Sequence, residues 1–215
     1  METLFNNLDL FALGFQNTLL LFAVSAVFAL GIGIVVGAMR VSPVPVMRAF
    51  GTLYVNLVRN TPLTLLMFFF AFGYPKLHLL KLPYTTLAII ALSIYTATYV
   101  AEVLRSGFNT VPTGQAEAAR AIGLPFVQTM TLVIMPQAFR AVIPPMMSVF
   151  IALLKNTTVA AGFSVAEAGA IRANLSERGE PAILVLLWVA LFFVILVGVL
   201  SVLQRYLERR WRVLR

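Results

Sequence analysis

The chain has 215 residues, of which 60% are hydrophobic and only 11% are charged, more apolar than a soluble domain of this length can hide in one core. Its charge of +8 arises from 16 Lys and Arg against 8 Asp and Glu, but no basic stripe interleaved with exposed aromatics accompanies it, which excludes a nucleic-acid surface. With no cysteine and a single histidine, His78, disulfides, thiol catalysis and Cys/His metal sites are excluded as well.

The first eleven residues carry Glu2 and Asp9 and no base, unlike the positive opening of a signal peptide, so the first apolar stretch is expected to be a retained helix. Crossing a hydrocarbon core takes about 20 apolar residues. Five stretches meet that length, near residues 14–39, 52–73, 84–104, 141–162 and 182–204. In the first, Gly33 and Gly37 stand four apart, the small-residue spacing at which two helices approach closely, here expected within the same bundle.

The second span contains Arg59, and Pro62 is expected to loosen the backbone beside it by freeing the carbonyl of Val58. A cation there would attract the carboxylate of a small polar solute. The third span brings Glu102 to a similar depth, so an Arg59–Glu102 ion pair is the competing structural reading. Charges at these positions cost several kcal/mol unless paired or hydrated, which makes Arg59, Glu102 and Lys155 functional candidates. Tyr54, Tyr95, Tyr99 and the run Phe68-Phe69-Phe70 are read as packing or lipid-facing residues.

Between the third and fourth spans lies the only polar stretch of any length, residues 105–140. Pro112 and Thr113 suit a helical first turn, Gly123 suits the left-handed position beyond its end, and Pro125 forbids continuation. A second short helix is expected from Pro125 to a break at Pro136. Ala116, Ala118, Ala119 and Ala121 leave the first helix a small-residue surface on which another protein's groove can close, while Glu117 and Arg120 are spaced to pair. A packed interfacial helix is the plainer alternative.

The fourth span holds Lys155 beside Asn156, Thr157 and Thr158, whose amide and hydroxyls can hydrogen-bond a polar ligand. Beyond it Ser164 and Glu167 have capping-box spacing, which predicts a short helix starting there, across the mouth of a pathway. The fifth span ends in a basic tail. If residues 105–140 are cytoplasmic, that side collects Arg40, Arg48, Arg105, Arg120, Arg140, Arg205, Arg209, Arg210, Arg212 and Arg215, against Lys76, Lys81, Arg172 and Arg178 on the other. The asymmetry predicts an outer N-terminus and an inner C-terminus.

Glu117-Ala118-Ala119, followed by Gly123 and by Ile134-Met135-Pro136, resembles the EAA motif of bacterial ABC importer permeases, with Met135 where leucine is usual. Arg59-Asn60-Thr61-Pro62-Leu63, Ala101 to Gly107 and Lys155-Asn156-Thr157-Thr158 are similar to motifs of the polar amino-acid branch, and Asn60 to Leu65 with Lys155 to Thr158 resemble its glutamate permeases.

The resemblance implies an all-α, polytopic membrane protein with five transmembrane helices and the type I importer permease fold, a single domain over residues 1–215 with 105–140 as its cytoplasmic coupling loop. It implies that Gln115, Glu117, Ala118, Ala119, Arg120, Gly123 and Leu124 contact an ATPase, and that Arg59, Thr61, Glu102, Lys155, Asn156 and Thr157 line the substrate pathway. Glutamate is the expected solute.

The implied partners are a dimer of ATP-binding subunits, a second permease (a similar chain or another copy), an extracytoplasmic solute-binding protein and the bilayer of a bacterial plasma membrane. No cofactor or catalytic residue is expected in this chain. Without a Gly-x-x-x-x-Gly-Lys-[Ser/Thr] loop the ATP and Mg belong to the partner.

Two other classes compete. An ion-coupled transporter acting without an ATPase needs acidic groups in mid-membrane, and Glu102 is the sole carboxylate well inside a span. An intramembrane serine hydrolase would rest on Gly162-Phe163-Ser164, but the single histidine, His78, lies in an outer connection and no triad can be assembled.

Overall fold

A computed structural model describes residues 2–210, all helices and connections with no strand among them. A short α1 (Glu2–Phe5) leads into α2 (Leu8–Val41), whose 34 residues reach about 50 Å at 1.5 Å per residue, well beyond a 30 Å hydrocarbon core. Four helical stretches are long and apolar enough to cross a membrane, and a bent pair brings the number to five. Each expected span is thus present, most of them longer than its apolar stretch.

The bent pair replaces the straight second span expected over 52–73. α3 (Pro45–Arg59) stops, and the chain turns by 92° into α4 (Leu63–Phe68) and the turns that continue to Leu77. Pro62 has no N–H to continue the ladder, so the break is complete. The Val58 carbonyl is not left free as the sequence led us to expect, because Thr61 N–H bonds it at 3.2 Å while the Thr61 hydroxyl donates to Leu57 O at 2.9 Å.

After a connection through His78, α5 (Tyr84–Asn109) runs parallel to α2. Gly33 faces Val100 and Gly37 faces Leu104, and a Cβ at Gly33 would overlap the Val100 side chain. The two glycines therefore pack inside the bundle, as expected. α5 is its axis: 56% of its most apolar window is buried, against 11% for α10.

α6 (Thr113–Ala121) and α7 (Phe126–Gln128) follow, then a π-helical turn, Thr129–Ile134, and α8 (Met135–Asn156). Pro136 does not end a helix. Its ring would collide with the carbonyl four residues back in an α-helix, and the wider π turn immediately before it relieves the clash. Phe126–Phe163 is consequently one 38-residue passage rather than a span beginning near 141. A second π turn, Phe69–Gly73, stands in the same relation to Pro75.

The last elements are α9 (Ile171–Glu177) and α10 (Ala182–Arg210). Phe11, Ile171, Leu175, Val185 and Val189 bury the contact among α2, α9 and α10, and Leu21, Leu63, Met67, Leu92, Leu153 and Phe163 form the larger core between α2, α4, α5 and α8. Arg40 and Arg105 meet at one end of the bundle, the end from which α5 leads into α6, called here the basic end; Arg212 and Arg215 lie outside the described residues.

Candidate coupling helix and solute pocket

Pro112 opens α6, and Gly123 beyond it has φ +87°. Gly123 N–H bonds Arg120 O at 2.9 Å and Leu124 N–H bonds Ala119 O at 3.1 Å, the paired pattern that closes a helix with a left-handed residue. The ends predicted from proline and glycine are the ends observed.

The surface of α6 differs from a uniform alanine face. Gln115, Glu117, Ala118 and Arg120 are exposed, whereas Ala119 is buried against the chain's own π turn. Arg120 Nε donates to Ala116 O at 3.3 Å, so the Glu117–Arg120 pair suggested by spacing is not formed. Just past the cap, Ile122, Phe126 and Val127 are 79%, 76% and 68% exposed. Sequence reading missed these three because apolar residues within a largely apolar chain carry no signal of their own.

Farther along α5, the Tyr95 and Tyr99 hydroxyls share a hydrogen bond of 2.8 Å, and Arg59 lies over the Tyr99 ring, 5.3 Å from its centre. Tyr95, Thr96, Tyr99, Ser148 and Asn156 supply the polar atoms of a cavity of about 280 Å³ between α5 and α8. The two tyrosines read from sequence as packing residues thus place their hydroxyls at a largely apolar cavity, with a cation over the Tyr99 ring. Ser148 also accepts a hydrogen bond from Gln204 of α10 at 3.1 Å.

The remaining candidates fall around this cavity unevenly. Thr157 is fully buried and its hydroxyl donates to Leu154 O at 2.7 Å, so it is occupied by its own helix. Lys155 is exposed on the neighbouring face. Glu102 does not pair with Arg59: its two oxygens take Arg40 Nη1 and Arg105 Nη2, each at 2.5 Å. Arg40, counted from the sequence only as a loop base, reaches back along the bundle to do this.

At the opposite end, the short helix expected after Ser164 starts later. Ser164 itself adopts a left-handed conformation, φ +62°, and Glu167 is the residue that caps the next turn, accepting from Gly169 N–H at 2.8 Å. Its other oxygen accepts from the Thr18 hydroxyl at 3.1 Å, and the side chain is buried. Burial pushes its carboxyl above the usual range despite these bonds, which act in the other direction.

The sequence profile of the family described as binding-protein-dependent transport system inner membrane component matches residues 29–213. The chain belongs to that family. This permease is 42% identical over 194 residues to the glutamate transport system permease protein GluC of Corynebacterium glutamicum, covering 85% of each chain. It is 36% identical to the probable glutamine ABC transporter permease protein GlnM of Bacillus subtilis, over 98% of this chain and 97% of that one.

Its fold matches the crystal structure of an amino acid ABC transporter with histidines at a TM-score of 0.91 and 25% identity, covering 96% of both chains. The inward-facing MetNI methionine ABC transporter shares the fold at a TM-score of 0.79. The permease is therefore a multi-pass inner-membrane component of an amino-acid ABC importer.

Proposed function

We propose that this permease forms half of the pathway through which an ATP-driven importer takes up glutamate. Its N-terminus lies outside, its C-terminus lies inside, and residues 105–140 form the cytoplasmic loop on which the motor docks. The observation that carries this reading is α6: a helix closed at both ends, projecting at the basic end and offering Gln115, Glu117, Ala118 and Arg120 next to the bare side chains of Ile122 and Phe126. Only Ala119 of this helix is buried against its own subunit, and the residues left exposed suit a cleft in an ATP-binding subunit.

The solute's route runs past Arg59, Thr61, Asn156 and Lys155, through the cavity bordered by Tyr95 and Tyr99. Arg59 supplies the charge that an acidic amino acid requires, and the tyrosine and asparagine groups supply the neutral hydrogen bonds. Thr157 shapes the wall. The choice of glutamate is supported by the 42% identity to a glutamate permease and by the Arg59 guanidinium held over Tyr99 at the cavity's border.

Closure of the ATP-binding dimer moves α6, and that motion switches the cavity from an outer binding protein's side to the inner side. A second permease, either another copy or a similar chain, completes the pathway. An ion-coupled mechanism lacks support, because Glu102 is engaged with two arginines and is not free to carry a proton or Na⁺.

The test is uptake by proteoliposomes holding the permease with its ATPase and binding protein. Labelled glutamate should accumulate with internal or external ATP on the motor's side and not with an ion gradient alone. Gradient-driven uptake by the permease without an ATPase would refute the proposal.

A further inference from the structure

Glu102 serves two arginines from different helices. Arg40 stands in the last turn of α2, Arg105 one turn beyond Glu102 on α5, and each binds one carboxylate oxygen at 2.5 Å. α2 brings the negative end of its dipole to Arg40, where a cation is favoured. Two arginines side by side nevertheless repel each other. Glu102 is what lets them share the position.

The arrangement reaches a third helix. Gly51 of α3 lies on the stem of Arg40, where a Cβ would approach Cγ to 2.9 Å. Arg40 is therefore held in place, with only 10% of its side chain exposed, whereas the Arg105 side chain is 38% exposed. Among the described residues the Nε–H of each guanidinium is buried without a partner, and Glu102 is the carboxylate that both arginines bind.

Along α5 this cluster stands between two functional features. One turn before Glu102 is Tyr99, which carries Arg59 and borders the cavity; after Arg105 the helix continues only to Asn109 before the turn into α6. That turn is tight, with the Thr110 hydroxyl donating to Gly107 O at 2.6 Å. Along α5, a displacement of α6 therefore passes the cluster before it reaches the cavity, while the π turn packed against α6 and α8 gives a second path to the opposite wall.

We propose that Glu102 is a positioning residue for transport: by binding Arg40 and Arg105 together it makes the basic ends of α2 and α5 one body. Motion received at α6 then moves the cavity wall instead of bending the end of α5 alone. This rests on the reading of α6 as the docking helix. Arg40 is the fixed arm of the clamp and Arg105 the releasable one.

The experiment uses the complete complex in proteoliposomes, with labelled glutamate uptake and phosphate release measured together. Glu102→Gln should raise the number of ATP hydrolysed per glutamate at least tenfold, and Arg105→Gln should raise it less than Arg40→Gln. Because Glu102→Gln leaves two cations facing each other, a second variant combines it with Arg40→Gln and leaves only the partly exposed Arg105 to water. That protein should assemble in normal amount and still show the raised ratio.

A residue that merely stabilised the fold would lower uptake and hydrolysis in proportion. An unchanged ratio in both Glu102 variants, while the wild-type complex transports, would overturn the clamp alone. If the wild-type complex shows no ATP-dependent uptake, the docking reading falls and the clamp falls with it.

Discussion

Glu102 is partly buried, with 26% of its side chain exposed, and Glu167 is fully buried, and their surroundings treat the carboxyl group in opposite ways. Glu102 is matched by two guanidinium groups, whereas Glu167 has only a hydroxyl and backbone N–H groups and is held above the usual carboxylate range by burial. In the folded chain Glu167 therefore binds its proton more tightly than in the unfolded chain. Its stabilising contribution is complete below the unfolded value of about 4.3 and is lost as pH rises through the folded one. We expect the melting temperature of the detergent-solubilised protein to fall as pH rises from about 4 toward neutrality, and Glu167→Gln, which keeps an acceptor for Gly169 N–H, to remove that slope. A slope unchanged in the variant would contradict the assignment. At the cavity, replacing Arg59 by Ala removes both the charge and the contact with Tyr99, a cation–π pair on the order of 1 kcal/mol in itself. The KM for glutamate uptake should rise about tenfold or more, since a charge-assisted hydrogen bond of about 1.5–3 kcal/mol is lost with it.

At the scale of single elements, the α6 boundaries were legible because proline and glycine act locally. Pro112 fixes the entry and Gly123 the exit, and neither depends on a distant contact. Gly123 has open space around the position of a Cβ, so Gly123→Ala suffers only from its left-handed backbone, about 1–2 kcal/mol. That loss should weaken co-purification of the ATPase without reducing the amount of folded permease. At Gly33 the reverse holds, because a larger side chain meets Val100 across the α2–α5 contact. Gly33→Val should lower stability by about 1–3 kcal/mol, read as a fall in melting temperature. Pro62 and Pro136 look alike in sequence but act differently: at Pro62 the ladder ends in a 92° bend, and at Pro136 a π turn absorbs the missing bond. Which occurs depends on packing against other helices, and that is absent from local spacing. The Ser164–Glu167 spacing misled for a similar reason, since Glu167 turns inward to Thr18, 149 residues away in sequence.

For the whole molecule, the five crossings could be read from apolar length alone, since the bilayer acts on each segment separately. Partners between segments could not. Arg59 and Glu102 have compatible depths along their helices, yet the pairing that forms is Glu102 with Arg40, decided by the parallel approach of α2 and α5 at Gly33 and Gly37. Ala119, central to the motif, is buried, while Ile122 and Phe126 outside it are exposed. Docking of an ATP-binding subunit on α6 is thus best probed from Ala118. The chain has no cysteine, so Ala118→Cys gives a single thiol that can be paired with one introduced in the cleft of the motor subunit. In an active reconstituted importer, we predict that oxidation links the two chains and stops ATP-driven uptake, and that reduction restores it. Full transport with no link formed at Ala118, or at cysteines placed at Gln115 and Glu117, would contradict the account.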